Sequence, residues 1–117
     1  MSRWGPVTAE LFAQLSEELT GSRPDVEPTR MFGSAGLTTH GKTFAMLVRG
    51  KLVVKLPRDR VQELLAAGAG DRFDLGHGRL MREWISLTEA TDPTPCRMLM
   101  TEALAFVAVA LAPGGRG

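Results

Sequence analysis

The sequence predicts an α+β fold on an antiparallel sheet, with elements in the order α-β-β-β-α-β-β-α. Three observations carry this. Apolar residues recur at helical spacing near both ends of the chain and once in the middle. Between those segments lie short runs rich in apolar and β-branched residues. Turns containing Gly separate the runs, which marks hairpins rather than long crossovers.

The first helix spans Thr8 to Thr20. Leu11, Leu15 and Leu19 recur every fourth residue with Phe12 beside them, while Glu10, Gln14, Glu17 and Glu18 take the wetter positions. Pro6 precedes it and Gly21-Ser22 ends it. Arg23 to Pro28 carries two prolines and reads as a connector. Arg30–Thr38 reads as one strand, with Gly33 and Gly36 marking a bulge or a close backbone approach. A turn around Gly41 leads into a strand at Thr43–Val48, and Arg49-Gly50 separates that run from Lys51–Leu56. Asp59 to Ala67 reads as a second helix, with Asp59 as N-cap, Gln62 completing a capping box and Gly68 as the stop. Arg72–Leu75 and Met81–Leu87 read as short strands around Gly76-His77-Gly78. A last helix from Pro95 to Ala112 is expected to bury Leu99, Phe106 and Val109. Residues 1–112 form one domain in this reading, and 113–117 a flexible tail.

The central hairpin has a definite register. With Arg49-Gly50 as its loop, Ala45, Leu47, Leu52, Val54 and Leu56 share one wholly apolar side. Phe44, Met46 and Val53 share the other with Lys51 and Lys55. A sheet with one wet face should alternate more cleanly. The second side therefore calls for a cover, and Phe44, Met46 and Val53 are expected to form an interface, with a homodimer as one way to make it.

Length and composition exclude several classes. At 117 residues the chain is one domain, and its 44% hydrophobic and 23% charged residues are those of an ordinary globular protein. The N-terminal Met1-Ser-Arg-Trp-Gly-Pro lacks the apolar core of an export signal. The longest apolar run, Ala103–Ala112, is far shorter than the roughly 20 residues of a bilayer span. A single cysteine, Cys96, forms no internal disulfide and fits a reducing, cytoplasmic setting. The net charge is +1, but its distribution is uneven: Lys42 to Arg60 holds Lys42, Arg49, Lys51, Lys55, Arg58 and Arg60 against Asp59 alone.

Five features bear on function. Gly36-Leu-Thr-Thr-His-Gly41-Lys42-Thr43 matches the spacing of a phosphate-binding P-loop, which would make Gly36, Gly41, Lys42 and Thr43 phosphate ligands. A P-loop needs a helix after the lysine to present its amides. Here a strand pattern follows instead, and no apolar strand ending in Asp supplies a magnesium ligand, so a Gly-containing β-turn is the better reading. His40 and His77 lie in turns, and no His-x-x-x-His or Cys-x-x-Cys spacing marks a metal site. No base stands near Cys96 in the sequence, so it reads as a core residue and not as a nucleophile. Glu83 falls on the apolar side of its strand, which calls for a nearby Arg as its partner or for a wetter face. Lys51, Lys55, Arg58 and Arg60 together with Phe44 offer the pattern of bases around an aromatic that binds nucleic acid. Lysines on strands equally serve to block edge-to-edge aggregation, and that reading is preferred. No catalytic constellation, cofactor or metal is expected.

Met31-Phe-Gly33, Gly36-Leu37, Gly41-Lys-Thr-Phe-Ala45, Leu52 and Lys55 together resemble the N-terminal domain of TfoX/Sxy-like proteins. Met81-Arg-Glu-Trp-Ile-Ser-Leu87 and Glu102-Ala-Leu-Ala-Phe106 look like that family's last strand and closing helix, so the resemblance runs from about Leu11 to Val109. It implies an α+β domain similar in topology to secretion chaperones and YjbR-like proteins, with Gly36, Gly41 and Lys42 in a strand–strand turn. The family's name-giving members regulate DNA-uptake competence and promote transcription, and they carry a second domain for which this length leaves no room. A single-domain, non-enzymatic member is expected, acting through protein contacts in regulation, with nucleic-acid binding as the alternative.

Overall fold

The computed structural model describes residues 9–31, 34–74, 80–87 and 93–111. Helix α1 (Ala9–Ser22) leads into strands β1 (Val26–Met31), β2 (Ser34–Thr39), β3 (Lys42–Val48) and β4 (Lys51–Lys55). Helix α2 (Arg58–Ala66), strands β5 (Gly70–Asp74) and β6 (Leu80–Leu87) and helix α3 (Pro93–Leu111) follow. The six strands form one antiparallel sheet in the order β1-β2-β3-β4-β6-β5.

The α+β class is as expected, but one strand becomes two. The segment read as a single strand joins part of the preceding connector to give β1 and β2, paired from Val26↔Thr39 to Met31↔Ser34. Pro28 is tolerated because β1 is an edge strand, where a missing N–H leaves no ladder partner unsatisfied. The order is therefore α-β-β-β-β-α-β-β-α.

Two turns set the register. Arg49 and Gly50 have φ of 53° and 78°, and His40 and Gly41 have φ of 52° and 81°. Consecutive positive φ angles are what a two-residue type I′ hairpin requires. The β3–β4 register is the expected one, Val48↔Lys51 through Ala45↔Val54.

The β2–β3 pair is less regular. Leu37 opposes Ala45 but Thr38 opposes Thr43, so Phe44 is the extra residue of a bulge. Alternation fails there, and Phe44 and Ala45 both lie fully buried in the main core. This corrects the expected interface. Phe44 does not share a face with Met46 and Val53, and all three are buried within the chain. Met46 and Val53 lie outside the main core cluster, on the two central strands. Gly36 and Val53 flank Met46, and Met46 and Ser86 flank Val53.

The three helices cover one face of the sheet. Phe12 and Leu15 of α1, Val61 of α2 and Met100 and Leu104 of α3 join Leu37, Leu52, Val54 and Ile85 in one cluster. Two bidentate ion pairs tie the helices together. Arg97 of α3 grips Glu18 of α1 at 2.8 and 3.1 Å, and Arg60 of α2 grips Glu102 of α3 at 3.0 and 3.2 Å. Their planar fork geometry fixes orientation more than it adds stability, since all four side chains are partly exposed.

Helix α2 starts one residue earlier than expected. Pro57 occupies the N-cap position with no side-chain cap, so the Asp59–Gln62 capping box does not form. Asp59 sits instead in the first turn, where its charge complements the helix dipole. The C-terminal stop is as expected: Gly68 has φ of 74°, its N–H reaches Leu65 O, and the Ala69 N–H reaches Leu64 O. Those two bonds are a Schellman motif. On α3, Leu99 is buried and Phe106 partly so, but Val109 is 67% exposed, against expectation. Residues 113–117 and the Gly76-His77-Gly78 turn lie outside the described residues.

Candidate functional site

The P-loop-like segment folds as a hairpin. Gly36 is buried in β2, His40-Gly41 is the turn, and Lys42 and Thr43 open β3. No helix follows Lys42, so no row of amides converges on a phosphate there. Gly36 is required for another reason. A Cβ would stand 3.1 Å from Ala45 O and 3.3 Å from both Met46 Cγ and Thr29 Cγ2. This is the close backbone approach that the sequence suggested; the bulge falls at Phe44.

The same turn anchors a polar cluster that the sequence does not reveal. Asp25, at the α1–β1 connector, is only 16% exposed at its side chain. Arg23 Nε and Nη2 donate to its two oxygens at 3.0 and 2.9 Å. The fully buried Thr39 donates its hydroxyl to Oδ2 at 2.7 Å. His40 donates its backbone N–H to Asp25 O at 3.4 Å, and its Nε2 stands 3.8 Å from Oδ2. The Thr39 hydroxyl, and after it the Arg23 guanidinium, pull the Asp25 carboxyl down to about 2 from its ordinary 3.8. No nucleophile–base–acid line exists in this cluster, because Thr39 bonds the carboxylate and not His40. It works as a latch between connector and turn.

A pH dependence follows. A depressed carboxyl pKa adds stability that is complete above the unfolded value and disappears as pH falls through the folded one. The stability lost on Asp25→Asn should therefore be constant at neutral pH, shrink below about 3.8 and vanish near 2. Thr39→Val should raise the Asp25 pKa, read from its side-chain carbonyl carbon shift.

The proposed nucleic-acid residues do not converge. Lys51 opens β4 and Lys55 closes it, and Arg58 and Arg60 lie on α2. Lys51 and Arg58 are exposed. Lys55 Nζ stands 3.9 Å from Glu83, so the partner is a lysine where an arginine was expected, and the Glu83 side chain is 45% exposed. Arg60 is bound to Glu102, and also to Glu63 at 3.1 Å, and both carboxylates hold its pKa above the ordinary value. Phe44, the expected stacking aromatic, is buried. His40 is exposed in its turn, and Cys96 is fully buried in the core. His77 lies outside the described residues. Among the described residues no group of His, Cys, Asp and Glu could hold a metal ion.

The feature that the sequence missed is a groove of about 590 Å³ between α1 and the β1–β3 end of the sheet. Its size falls in the range of roughly 300–1,000 Å³ common for binding sites. Phe12, Ala13 and Ser16 form the helix wall, and Ala35, Gly36 and Leu47 the floor. The small residues on both walls leave the gap open. Ser16 and Thr20 spend their hydroxyls on the helix's own carbonyls, at Phe12 O and Glu17 O. The wall facing the gap is thereby left apolar. Charge appears at Glu17 and Arg30. Because α1 turns back into β1 through a short connector, Glu17 lies toward that connector and Arg30 toward the far end. A signal was present in the sequence: Ala9, Ala13 and Ser16 fall at helical spacing beside the leucine stripe.

Among the described residues, no helix is long and apolar enough to cross a membrane. No curated protein and no solved structure matches this chain. The model of the TfoX N-terminal domain matches residues 18–107, which takes in every strand, α2 and most of α3, and the chain belongs to that family.

Proposed function

We propose that this domain is a non-enzymatic protein-interaction module with a regulatory role, taking a short apolar segment of a partner protein into the α1/β1 groove. The observation that carries this reading is the apolar groove itself, with the exposed Glu17 on its rim. A complementary segment has a few apolar side chains followed by a base, set against Glu17. Strand addition at the neighbouring edge is disfavoured, because Pro28 offers no N–H to an added strand. A cytoplasmic setting fits the lone, buried Cys96.

The test is a selection of displayed random peptides against the folded domain, with counter-selection on Ala13→Trp, which fills the groove from its exposed wall. Enriched peptides should carry an apolar run with a base beside it and bind Ala13→Trp at least tenfold more weakly. Peptides that bind both proteins equally would refute the groove reading. Nucleic-acid binding through Lys51 and Arg58 remains the alternative, since both are exposed. It predicts salt-dependent binding of a short DNA duplex, lost in Lys51→Glu/Arg58→Glu.

A further inference from the structure

The α1/β1 groove constrains the shape of what it holds. It runs along α1 from Ala9 to Thr20, which is about 16 Å or three helical turns. Ser16 and Thr20 donate to the helix's own carbonyls, Phe12 O and Glu17 O. Between Ala13 and Thr20 the helix wall therefore offers no side-chain donor. Across the groove, Pro28 has no N–H to give. An extended segment laid here would bury carbonyls that find no donor at these positions, and each such carbonyl costs free energy. A helix satisfies its backbone internally and brings only side chains to the walls.

The charge on the rim points the same way. Glu10 and Glu17 are both exposed and seven residues apart. Two turns of helix set them on one side of α1, about 10 Å from each other along its axis. Glu17 lines the groove, and Glu10 stands in line with it. Among the described residues no ion pair engages either carboxylate, whereas Glu18 is held by Arg97. Two bases seven residues apart on a neighbouring helix also stand about 10 Å apart on one face. On a strand, residues of one face repeat at about 7 and 14 Å, and neither distance fits.

We infer that the occupant of the groove is an amphipathic helix of a partner protein, lying alongside α1. Its apolar residues, at i, i+3 or i+4 and i+7, fill the gap over Ala13, Ala35 and Gly36. Two bases seven residues apart on its flank meet Glu10 and Glu17. This rests on the groove reading above and adds to it the conformation and the charge spacing of the partner segment.

Two displayed peptide libraries, selected against the folded domain, give the test. One randomises apolar and basic residues on one face of an alanine-rich peptide of about 16 residues, long enough to hold a helix. The other sets the same residue types at alternate positions of a threonine- and valine-rich peptide with a central proline, which cannot be helical. The helical library should yield binders that gain helicity on binding, read by circular dichroism, and that bind Ala13→Trp at least tenfold more weakly. Glu10→Lys and, separately, Glu17→Lys should each weaken binding about fivefold, and exchanging the facing peptide base for Glu should restore it. Binders from the extended library that are sensitive to Ala13→Trp and of equal or higher affinity would overturn the helix and leave the groove reading standing. Helical binders indifferent to both charge reversals would overturn the pairing with Glu10 and Glu17. Binders indifferent to Ala13→Trp, or none from either library, would overturn the inference and the groove reading together.

Discussion

Phe44→Ala should destabilise the fold by about 3–5 kcal/mol, measured as a shift of the denaturant midpoint at unchanged slope. Phe44 is the largest fully buried side chain of the core. It reaches that position only because the bulge opposite Leu37 and Thr38 breaks alternation in β3. Truncation leaves a cavity that the surrounding strands, locked by two type I′ turns, have little freedom to close. Strict alternation would instead set Phe44 on the far side of the sheet beside Met46 and Val53, outside the main core cluster.

Gly70→Ala should also be strongly destabilising, by about 1–3 kcal/mol. A Cβ at Gly70 would stand 2.5 Å from the carbonyl oxygen of Ser86 and 3.0 Å from Ile85 Cγ1. The first contact is with backbone, so no side-chain rotation relieves it, and β5 would have to move away from β6. Gly21→Ala is the control. It lies within the last turn of α1 with nothing inside 4 Å of a new Cβ, so the same chemical change should be neutral or stabilising there. Equal losses at the two positions would contradict the β5–β6 packing described above.

Much of the fold was legible because local chemistry dictates it. Arg49-Gly50 and His40-Gly41 each permit two successive positive φ angles, and the register of the strands between them follows. Gly68 stops α2 for the same kind of reason. Phe44 was misplaced because one inserted residue inverts every side chain before it, and the sequence marks no such insertion. Strand β1 was hidden by Pro28, whose tolerance depends on its being at a sheet edge. The α2 N-cap was misread because Pro57 lets the helix begin at once, ahead of Asp59.

The candidate site was less legible. Thr39 and Asp25 are 14 residues apart, and Arg60 and Glu102 are 42 apart. Such pairs meet only after the sheet has its register and the helices their docking angles. The basic segment looked like one patch in sequence, but β4 separates Lys51 from Lys55 and acids on β6, α2 and α3 engage Lys55 and Arg60. The groove depends on how far α1 stands from β1–β3, which the small residues Ala13, Ala35 and Gly36 permit without specifying.

The central claim is that the α1/β1 groove is the surface through which this domain works. Amide shift mapping of the isotope-labelled protein tests it most directly, with a peptide selected as above and, separately, with a short DNA duplex at low and moderate salt. The peptide should move resonances of Ala13, Ser16, Ala35, Gly36 and Leu47, and the duplex should leave the spectrum unchanged at moderate salt. Salt-sensitive shifts at Lys51 and Arg58 with a silent groove would contradict it.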